Sequence, residues 1–305
     1  AAKRVGLDVA GIDLVCHDPG RPLEDQGGAI VEVNAAPGIR MHVHPAQGEP
    51  RDVGRAIVDA LFPPAAPSRI PVVAITGTNG KTTTTRLIAH VLRAQGLTTG
   101  MATTEGVYVG GEPTQAGDCT GYWSARAVLG DPTVEVAVLE TSRGGIFKRG
   151  LGFDRCDVAV VTNVSDDHLG QDGAICLDDL AAVEGLLVAQ AARAAVLNAD
   201  DPRGMAMRGR LRPGAEAILF STEGPAAVEA HLDAGGRAAY LRGGRLVLAD
   251  GLRQEPLVDA RALPFTLGGV ARHNVANALA AAAALWALGV APLAIADALA
   301  TFRAD

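Results

Sequence analysis

The sequence predicts an α/β fold whose central sheet is mostly parallel and doubly wound. A short β-branched apolar run, Ile70–Thr76, leads through glycines into a helical pattern at Lys81–Gln95. Further apolar runs follow at 134–139, 158–162 and 194–197, with helical patterns between several of them, including 177–192. The apolar residues of these runs are continuous rather than alternating, which is typical of strands buried on both faces of a parallel sheet.

The composition allows a large core and excludes several classes of partner. The chain has 305 residues, 48% of them hydrophobic and 20% charged, which excludes general disorder. A formal net charge of −7 gives no broad attraction to nucleic acid or anionic lipid, so we expect neither as a partner. Charged residues interrupt the long apolar stretches, and no C-x-x-C pair occurs. We therefore expect a cytoplasmic protein with reduced thiols; a homo-oligomer is left open.

The first 63 residues form a small α+β segment of their own. Asp8–Cys16 and Ala29–Asn34 read as two adjacent strands, and Asp52–Leu61 as a short closing helix. About 63 residues is near the lower limit for an independent core, so we interpret this segment as the tail of a larger domain. Three prolines within 61–68 predict a linker, placed at 64–70, before a second domain at 71–305.

Two glycine pairs predict hairpins within the second domain. Gly110-Gly111 and Gly243-Gly244 each separate two strand-like runs, and paired glycines suit the tight turns of hairpins. We expect both hairpins to be inserted β structure.

A glycine-rich loop between the first strand and helix of the second domain predicts a triphosphate site. Gly77 and Gly80 let backbone N–H groups close around phosphate oxygens at a helix N-terminus. Lys81 supplies a positive charge and Thr82 a hydroxyl for Mg²⁺. Ile75 stands where the general pattern has glycine, so the loop is the shorter variant. We expect ATP and Mg²⁺ to bind here, through Gly77, Thr78, Asn79, Gly80, Lys81, Thr82 and Thr83.

Two further residues lie where the carboxyl ends of parallel strands meet. Glu140 ends the run at 134–139, and His168 follows the run at 158–162. Ligands bind at this edge of open α/β sheets, so we predict both as metal ligands and, with Lys81, as catalytic residues. A histidine would be unusual for Mg²⁺, which prefers oxygen. Solvated strand-end residues are the alternative interpretation.

Several ordered motifs resemble the Mur ligase family of ATP-dependent amide-forming enzymes. The resemblance covers about Pro71 to Arg303. It implies metal roles for the residues at 82, 140 and 168, and nucleoside contacts for Asn274 and Asn277. The motifs are G-T-N-G-K-T at 77–82, Glu140, T-N-V-S-x-D-H at 162–168, N-A-D-D at 198–201 and R-H-N-V-x-N at 272–277.

Within that family, the motifs that start at Glu140 and Asp167 look like those of the cyanophycin synthetases. The segment before the linker looks like the end of an ATP-grasp domain, whose Asp…Glu-x-Asn set is matched by Asp13, Glu32 and Asn34. That resemblance implies Mg²⁺ binding by these three residues. Residues spaced by two on a strand share one face, as joint metal binding requires. An ordinary polar surface is the alternative.

The resemblance implies a function. The ATP-grasp module would add aspartate to the polyaspartate backbone of cyanophycin, and the Mur-like module would add arginine to its side chains. Both would proceed through an acyl phosphate, so the expected partners are cyanophycin, arginine and aspartate. Two alternatives stay open: another Mur-type ligase, for folylpolyglutamate or murein, or an ATP-binding module without turnover.

The chain departs from the family pattern in three ways. The front of the ATP-grasp domain and the C-terminal lobe of the Mur fold are expected to be missing, so the fragment alone is expected to be inactive. Many Mur ligases carry a carbamylated lysine on the helix after the histidine loop, but Lys148 is the last lysine here. We hypothesise that Glu184 supplies the equivalent carboxylate, with a solvated helix residue as the rival interpretation.

Weaker signals surround these motifs. Arg143, Lys148 and Arg149 are candidates for receiving an acidic polymer or an acyl phosphate, with a solvated basic loop as the rival. Tyr122 and Trp123 are expected to lie in the core or against a lid. The pair His42 and His44 lacks further metal ligands nearby, so we interpret both as loop residues.

Overall fold

The computed structural model describes residues 2–63, 68–166 and 176–303. The chain divides into two compact units, Ala1–Arg69 and Ile70–Asp305. Each unit is described by itself.

The first unit is a two-stranded antiparallel hairpin with three short helices. Asp13 pairs with Glu32 across the strands, and the Asp52 carboxylate caps the last helix by accepting the Arg55 N–H at 3.0 Å. No described residue of this unit is fully buried, and Val31 of the second strand is 66% exposed. Its elements are α1 (Ala2–Val5), β1 (Gly11–Val15), β2 (Ala29–Asn34), α2 (Arg40–Val43) and α3 (Val53–Leu61).

The second unit contains one large sheet with helices on both faces. Its strands are β3 (Val72–Thr76), β4 (Thr99–Ala102), β5 (Gly106–Val109), β6 (Glu112–Ala116), β7 (Val136–Glu140), β8 (Cys156–Val161), β9 (Ala191–Asn198), β10 (Glu216–Ser221), β11 (Arg237–Arg242), β12 (Arg245–Asp250) and β13 (Arg253–Asp259). Its helices are α4 (Lys81–Ala94), α5 (Tyr122–Gly130), α6 (Arg143–Arg149), α7 (Leu177–Val188), α8 (Pro202–Ala206), α9 (Glu229–Asp233), α10 (Arg272–Ala287) and α11 (Pro292–Thr301).

The strands of this sheet are mostly parallel. Among the described residues, eleven strands follow the order β13-β12-β11-β10-β9-β8-β3-β7-β4-β5-β6. All strands from β11 to β4 run parallel, and both edges are extended by antiparallel strands. The α/β fold class is thereby confirmed. Both glycine pairs form hairpin turns as predicted, and the hairpins continue the main sheet at its two edges rather than forming a separate insertion.

Successive residues of the central strand β3 point into two different apolar layers. Val73 and Ile75 pack with α4, α10 and α11, whereas Val72 and Ala74 face the layer that contains α5 and α7. The alanine-rich α10 is buried along Ala278–Leu285, since small side chains let this helix lie close to the strands. No described helix is both long and apolar enough to cross a membrane.

One local prediction was wrong, and one strand was missed. The helix predicted over 177–192 ends at Val188, because the alanines from Ala191 onward pair with β8 and β10 instead. Sheet pairing overrides the high helix propensity of alanine there. Strand β4 carries no apolar run and was not predicted. At its Gly100, a Cβ would lie 2.5 Å from Val128 Cγ1, so the glycine allows α5 to pack closely on the strand.

Candidate nucleotide and metal site

The glycine loop turns tightly between β3 and α4. Gly77 has φ 127° and Gly80, the N-cap of α4, has φ 85°, both conformations that favour glycine. A Cβ on Gly77 would overlap Thr162 Oγ1, and one on Gly80 would overlap the side-chain oxygen of Asn277. Both glycines therefore permit close approach of other segments as well as the turn itself.

Thr162 and Asn163, directly after β8, hold the loop in place through four hydrogen bonds. The Asn79 carbonyl accepts from Thr162 Oγ1 at 2.6 Å and from Asn163 Nδ2 at 3.0 Å. The Asn79 N–H donates to Asn163 Oδ1 at 3.1 Å, and the Thr78 N–H donates to the Asn163 carbonyl at 2.8 Å. The first two residues of the predicted T-N-V-S-x-D-H motif, Thr162 and Asn163, thus hold the shape of the glycine loop.

Lys81 lies in a cavity of about 550 Å³ that begins at the loop. Its Nζ donates to the Thr78 carbonyl at 2.8 Å. Burial lowers the pKa of Lys81, while the nearby carboxylates of Glu140 and Glu184 act in the opposite direction. The ammonium is therefore held at the loop by the Thr78 carbonyl, with two carboxyl groups near it.

Glu140, at the carboxyl end of β7, contacts the loop threonine directly. Thr82 Oγ1 donates to Glu140 Oε2 at 2.9 Å, and the Thr104 N–H donates to the same oxygen at 3.2 Å. The Thr82 hydroxyl hydrogen is used in that bond, so the Thr104 hydroxyl donates to Thr82 Oγ1 at 3.1 Å. Glu140 is 2% exposed, and burial raises its pKa against the effect of the Thr82 bond.

One oxygen of Glu140 has no hydrogen-bond partner among the described residues. Oε1 is buried and unpaired, although a buried carboxylate oxygen normally has a donor or a cation beside it. The free oxygen and the Thr82 hydroxyl provide oxygen ligands, the type that Mg²⁺ prefers. His168, predicted as a third ligand, lies outside the described residues.

Glu184, on α7, lines the same cavity as Lys81. It is 2% exposed, so the interpretation as a solvated helix residue is wrong. Its Oε2 is buried and has no hydrogen-bond partner within the described part of the chain. Burial raises the pKa of Glu184 to about 8, against the attraction of Lys81. Glu184 thus adds a second buried carboxyl group, after Glu140, near Lys81.

A second cavity, of about 490 Å³, opens on the other side of the loop. Asn79, Gly80 and Thr83 contribute the loop side of its lining, and Asn274 and Asn277 the α10 side. The structure therefore brings both predicted nucleoside-contacting asparagines to the phosphate loop. Asn274 Nδ2 donates to the Phe265 carbonyl at 2.7 Å, and Asn277 Nδ2 donates to Asn274 Oδ1 at 3.3 Å.

The basic residues of α6 lie at the first cavity or contact the aromatic start of α5. Arg143 and Lys148 line the cavity. The Arg149 guanidinium lies 5.9 Å from the ring centroid of Trp123. Trp123 is 66% exposed, so the interpretation of this residue as core is wrong. It is the second residue of α5, a helix whose buried residues are the smaller Ser124, Ala125 and Val128.

In the first unit, the predicted ATP-grasp residues share one face of the hairpin. Asp13 lies opposite Glu32, and Asn34 is two residues further along the same strand. His42 belongs to α2, so its interpretation as a loop residue is wrong, and His44 directly follows that helix. Across residues 2–63, 68–166 and 176–303, no three His, Cys, Asp or Glu side chains cluster as metal ligands.

Sequence reasoning missed several residues of the first cavity. Thr104 contacts both Thr82 and Glu140, and Asp118 and Thr120 contribute to the cavity lining. Thr104 follows β4, the strand that was not predicted. The pattern T-T-E directly after a parallel strand is the signal that points to it, since polar residues at this edge face the ligand.

Comparison with known proteins places these features in a family. The model of the Mur ligase middle domain matches residues 75–285. Cyanophycin synthetase of Synechocystis sp. is 46% identical over 291 residues, which are 95% of this chain and 33% of that protein. The cyanophycin synthetase of Crocosphaera subtropica is 47% identical over 306 residues, which are 100% of this chain and 35% of that protein. The predicted resemblance is confirmed, and the chain spans about a third of the length of these relatives.

Solved structures agree on the fold. The structure of UDP-N-acetylmuramoyl-L-alanyl-D-glutamate–2,6-diaminopimelate ligase matches with a TM-score of 0.61 at 22% identity, covering 82% of this chain and 49% of that one. At this identity the likeness concerns the fold alone. Together with the family model, which spans most of the second unit, it leads to one conclusion: the chain belongs to the Mur ligase family and contains its middle domain.

Proposed function

We propose that this chain is the ATP-using part of an amide ligase of cyanophycin synthesis. The observation that carries the proposal is the contact between Thr82 and Glu140 beside Lys81, at the N-terminus of α4. The sequence similarity to cyanophycin synthetases supports the choice of polymer.

The two cavities on either side of the loop suit the two halves of ATP. The phosphates would lie against the loop amides, the N-terminus of α4 and Lys81, since all three attract negative charge. The nucleoside would lie in the cavity lined by Asn274 and Asn277. Gly80 lies so close to Asn277 that a Cβ on Gly80 would overlap the Asn277 side chain. The proposed nucleoside cavity is therefore directly beside the loop.

The residues present also suit Mg²⁺. Thr82 and Glu140 would hold it, through a hydroxyl oxygen and the carboxylate oxygen that otherwise has no partner in the described structure. When bound, the ion supplies positive charge against the triphosphate. Glu184, which lines the same cavity as Lys81, would assist as a further carboxylate. This is the role that we hypothesise for it in place of a carbamylated lysine. His168 remains a predicted ligand and catalytic residue.

The proposed chemistry has two steps that balance in atoms and charge. A carboxylate oxygen of the acceptor attacks the terminal phosphorus of ATP, which forms an acyl phosphate and releases ADP. The incoming amine then attacks the acyl carbon, the amide bond forms, and phosphate and a proton leave. Lys81 would stabilise charge on the transferred group, and Arg143 and Lys148 at the same cavity would attract the acidic acceptor.

The assignment of substrates rests on the relatives. In the Mur-like unit the amine would be that of arginine, added to aspartate side chains of cyanophycin. The hairpin with Asp13, Glu32 and Asn34 would belong to an ATP-grasp module that adds aspartate to the backbone with its own Mg²⁺. Its three oxygen-bearing side chains on one face support that view.

A calorimetric titration tests the site. We expect the chain to bind ATP with Mg²⁺, and Lys81→Ala to weaken binding by about 10- to 100-fold, the usual effect of losing a charged hydrogen bond. Lys3→Ala, an exposed lysine of the first unit, is the matched control and should bind as the parent does. Equal affinity of the Lys81→Ala variant and the parent would remove the proposal.

A second assay separates the substrates. Because this chain alone is expected to be inactive, the assay uses a protein of the relatives' full length that contains it. Phosphate release would be measured with cyanophycin and arginine, with a folate and glutamate, and with a murein precursor and its amino acid. Release only with the first pair supports the proposal, and release only with another pair favours a different Mur-type ligase. ATP binding without release from any pair favours a binding module without turnover.

A further inference from the structure

A third cavity, of about 350 Å³, collects positive charge away from the ATP site. It lies between α4, the β4–β5–β6 edge and the end of α11. Arg86, Arg93 and Arg303 contribute to its lining, and Glu105 is the one carboxylate among the described lining residues. This concentration of arginine is unexpected in a chain of net charge −7.

Two of these arginines share a face of α4. Arg86 and Arg93 are seven residues apart, close to two full turns, which separates them by about 10 Å along the helix. Arg93 lies twelve residues after Lys81, about 18 Å along the same helix, so this cavity is distinct from the phosphate loop. Arg93 reaches the β5–β6 turn, where a Cβ on Gly111 would overlap its guanidinium.

The positive charge is only partly neutralised within the protein. Arg86 Nη1 lies 3.5 Å from Glu105 Oε2, a long ion pair with half of the carboxylate exposed. Arg303 Nη1 donates to the Phe302 carbonyl at 3.3 Å, which leaves its charge unpaired in the described structure. Three guanidinium groups thus line the cavity, and Glu105 pairs with Arg86 alone in the described part of the chain.

The remaining lining residues shape the cavity without adding charge. His90 Nε2 lies 3.1 Å from the Ala298 carbonyl, which requires that nitrogen to be the donor. Burial lowers the pKa of His90, so its ring is neutral at physiological pH. Tyr108 and Phe302 supply aromatic walls. The positive charge of the cavity is therefore that of its arginines.

We infer that this arginine cavity is a second anion-binding site, which takes a compact anion with two or more carboxylate or phosphate groups. Guanidinium groups pair bidentately with both kinds of oxyanion, and a multivalent ligand would relieve the repulsion among three cations. The inference is independent of the proposed ligase activity, because none of its residues belongs to the ATP site.

The test uses the Lys81→Ala chain, in which the phosphate loop is weakened, and two probes, hexa-aspartate and inorganic tripolyphosphate. We expect saturable binding of at least one probe that weakens with added salt. Arg93→Gln/Arg303→Gln should reduce the affinity for that probe by about tenfold or more. The probe that binds more tightly identifies carboxylate or phosphate as the preferred source.

The matched control is Arg245→Gln/Arg253→Gln, which removes the same charge from exposed positions on β12 and β13. It should leave the affinity within twofold of the Lys81→Ala parent. Equal losses in both double variants would indicate nonspecific attraction and overturn the inference. Binding that Arg93→Gln/Arg303→Gln leaves unchanged would assign the probe to another site, such as the cavity of Arg143 and Lys148, and would also overturn it, as would the absence of binding to either probe. If the Lys81→Ala chain does not fold, the unsubstituted chain saturated with ATP and Mg²⁺ takes its place. The same two double variants are then made in that chain, and the same criteria apply.

Discussion

Glu184→Gln tests the electrostatics of the first cavity, which Lys81 and Glu184 line. Glu184 is 2% exposed, and burial raises the pKa of its carboxyl from 4.5 to about 8. One pKa unit corresponds to about 1.36 kcal/mol, so ionising this group costs the folded chain on the order of 5 kcal/mol. Glutamine has nearly the same shape and never ionises, so the substitution removes this cost.

The sign of the pH dependence follows from the raised pKa. Between pH 4.5 and 8 the folded chain holds a proton on Glu184 that the unfolded chain has released. Its stabilising effect is fully present below pH 4.5 and is lost as the pH rises through 8. From pH 6 to pH 9, the free energy of unfolding of the parent should fall by about 3 kcal/mol relative to that of the Glu184→Gln variant.

Urea denaturation at pH 6 and pH 9 measures this difference. Glu229→Gln makes the same substitution on the exposed surface of α9 and should follow the parent at both pH values. Parallel pH dependences for the parent and Glu184→Gln would refute the reasoning. Adding ATP with Mg²⁺ provides a second comparison. If Glu184 helps to hold Mg²⁺, the variant needs more Mg²⁺ for the same stabilisation; an unchanged requirement removes that role.

Three further substitutions test individual contacts. Gly80→Ala places a Cβ against Asn277 at a backbone φ of 85°; we expect a loss of about 1–2 kcal/mol in stability and weaker ATP binding, and unaltered denaturation and calorimetry would contradict this. Thr82→Val removes the hydroxyl bonded to Glu140, so the Mg²⁺ concentration for half-maximal ATP binding should rise; an identical Mg²⁺ titration would argue against Thr82 as a ligand. Trp286→Leu removes the ring 3.7 Å below the Arg237 guanidinium, at a cost of about 1 kcal/mol in urea denaturation, and equal stability would show that the stacking contributes nothing.

Elements with a strong local signal could be predicted from the sequence. The loop at 77–83 was predicted because its glycines, lysine and threonine have fixed spacing between a strand and a helix. The predicted strand run at 158–162 lies within one residue of β8 at its end and two at its start. Strand β4 could not be found in this way, because its sequence, T-G-M-A, gains its strand conformation from pairing with β7 and β5.

Contacts between distant segments could not be predicted from spacing. Thr104 and Glu140 are 36 residues apart, and they meet because β4 and β7 are neighbours in the sheet. The arginine cavity likewise joins Arg86 to Arg303, more than two hundred residues later. The periodicity of a strand gives its type but not its neighbours, so the sequence is silent on these contacts.

The sequence by itself determined the family, the α/β alternation and the glycine loop, because each is indicated by short motifs or runs of neighbouring residues in the chain. Only the tertiary structure decided that Glu184 is a buried carboxylate beside Lys81 rather than a solvated helix residue. The same holds for the unpaired oxygen of Glu140. Burial and missing partners depend on which segments pack together, and the sheet order β8-β3-β7-β4 settles that for this site.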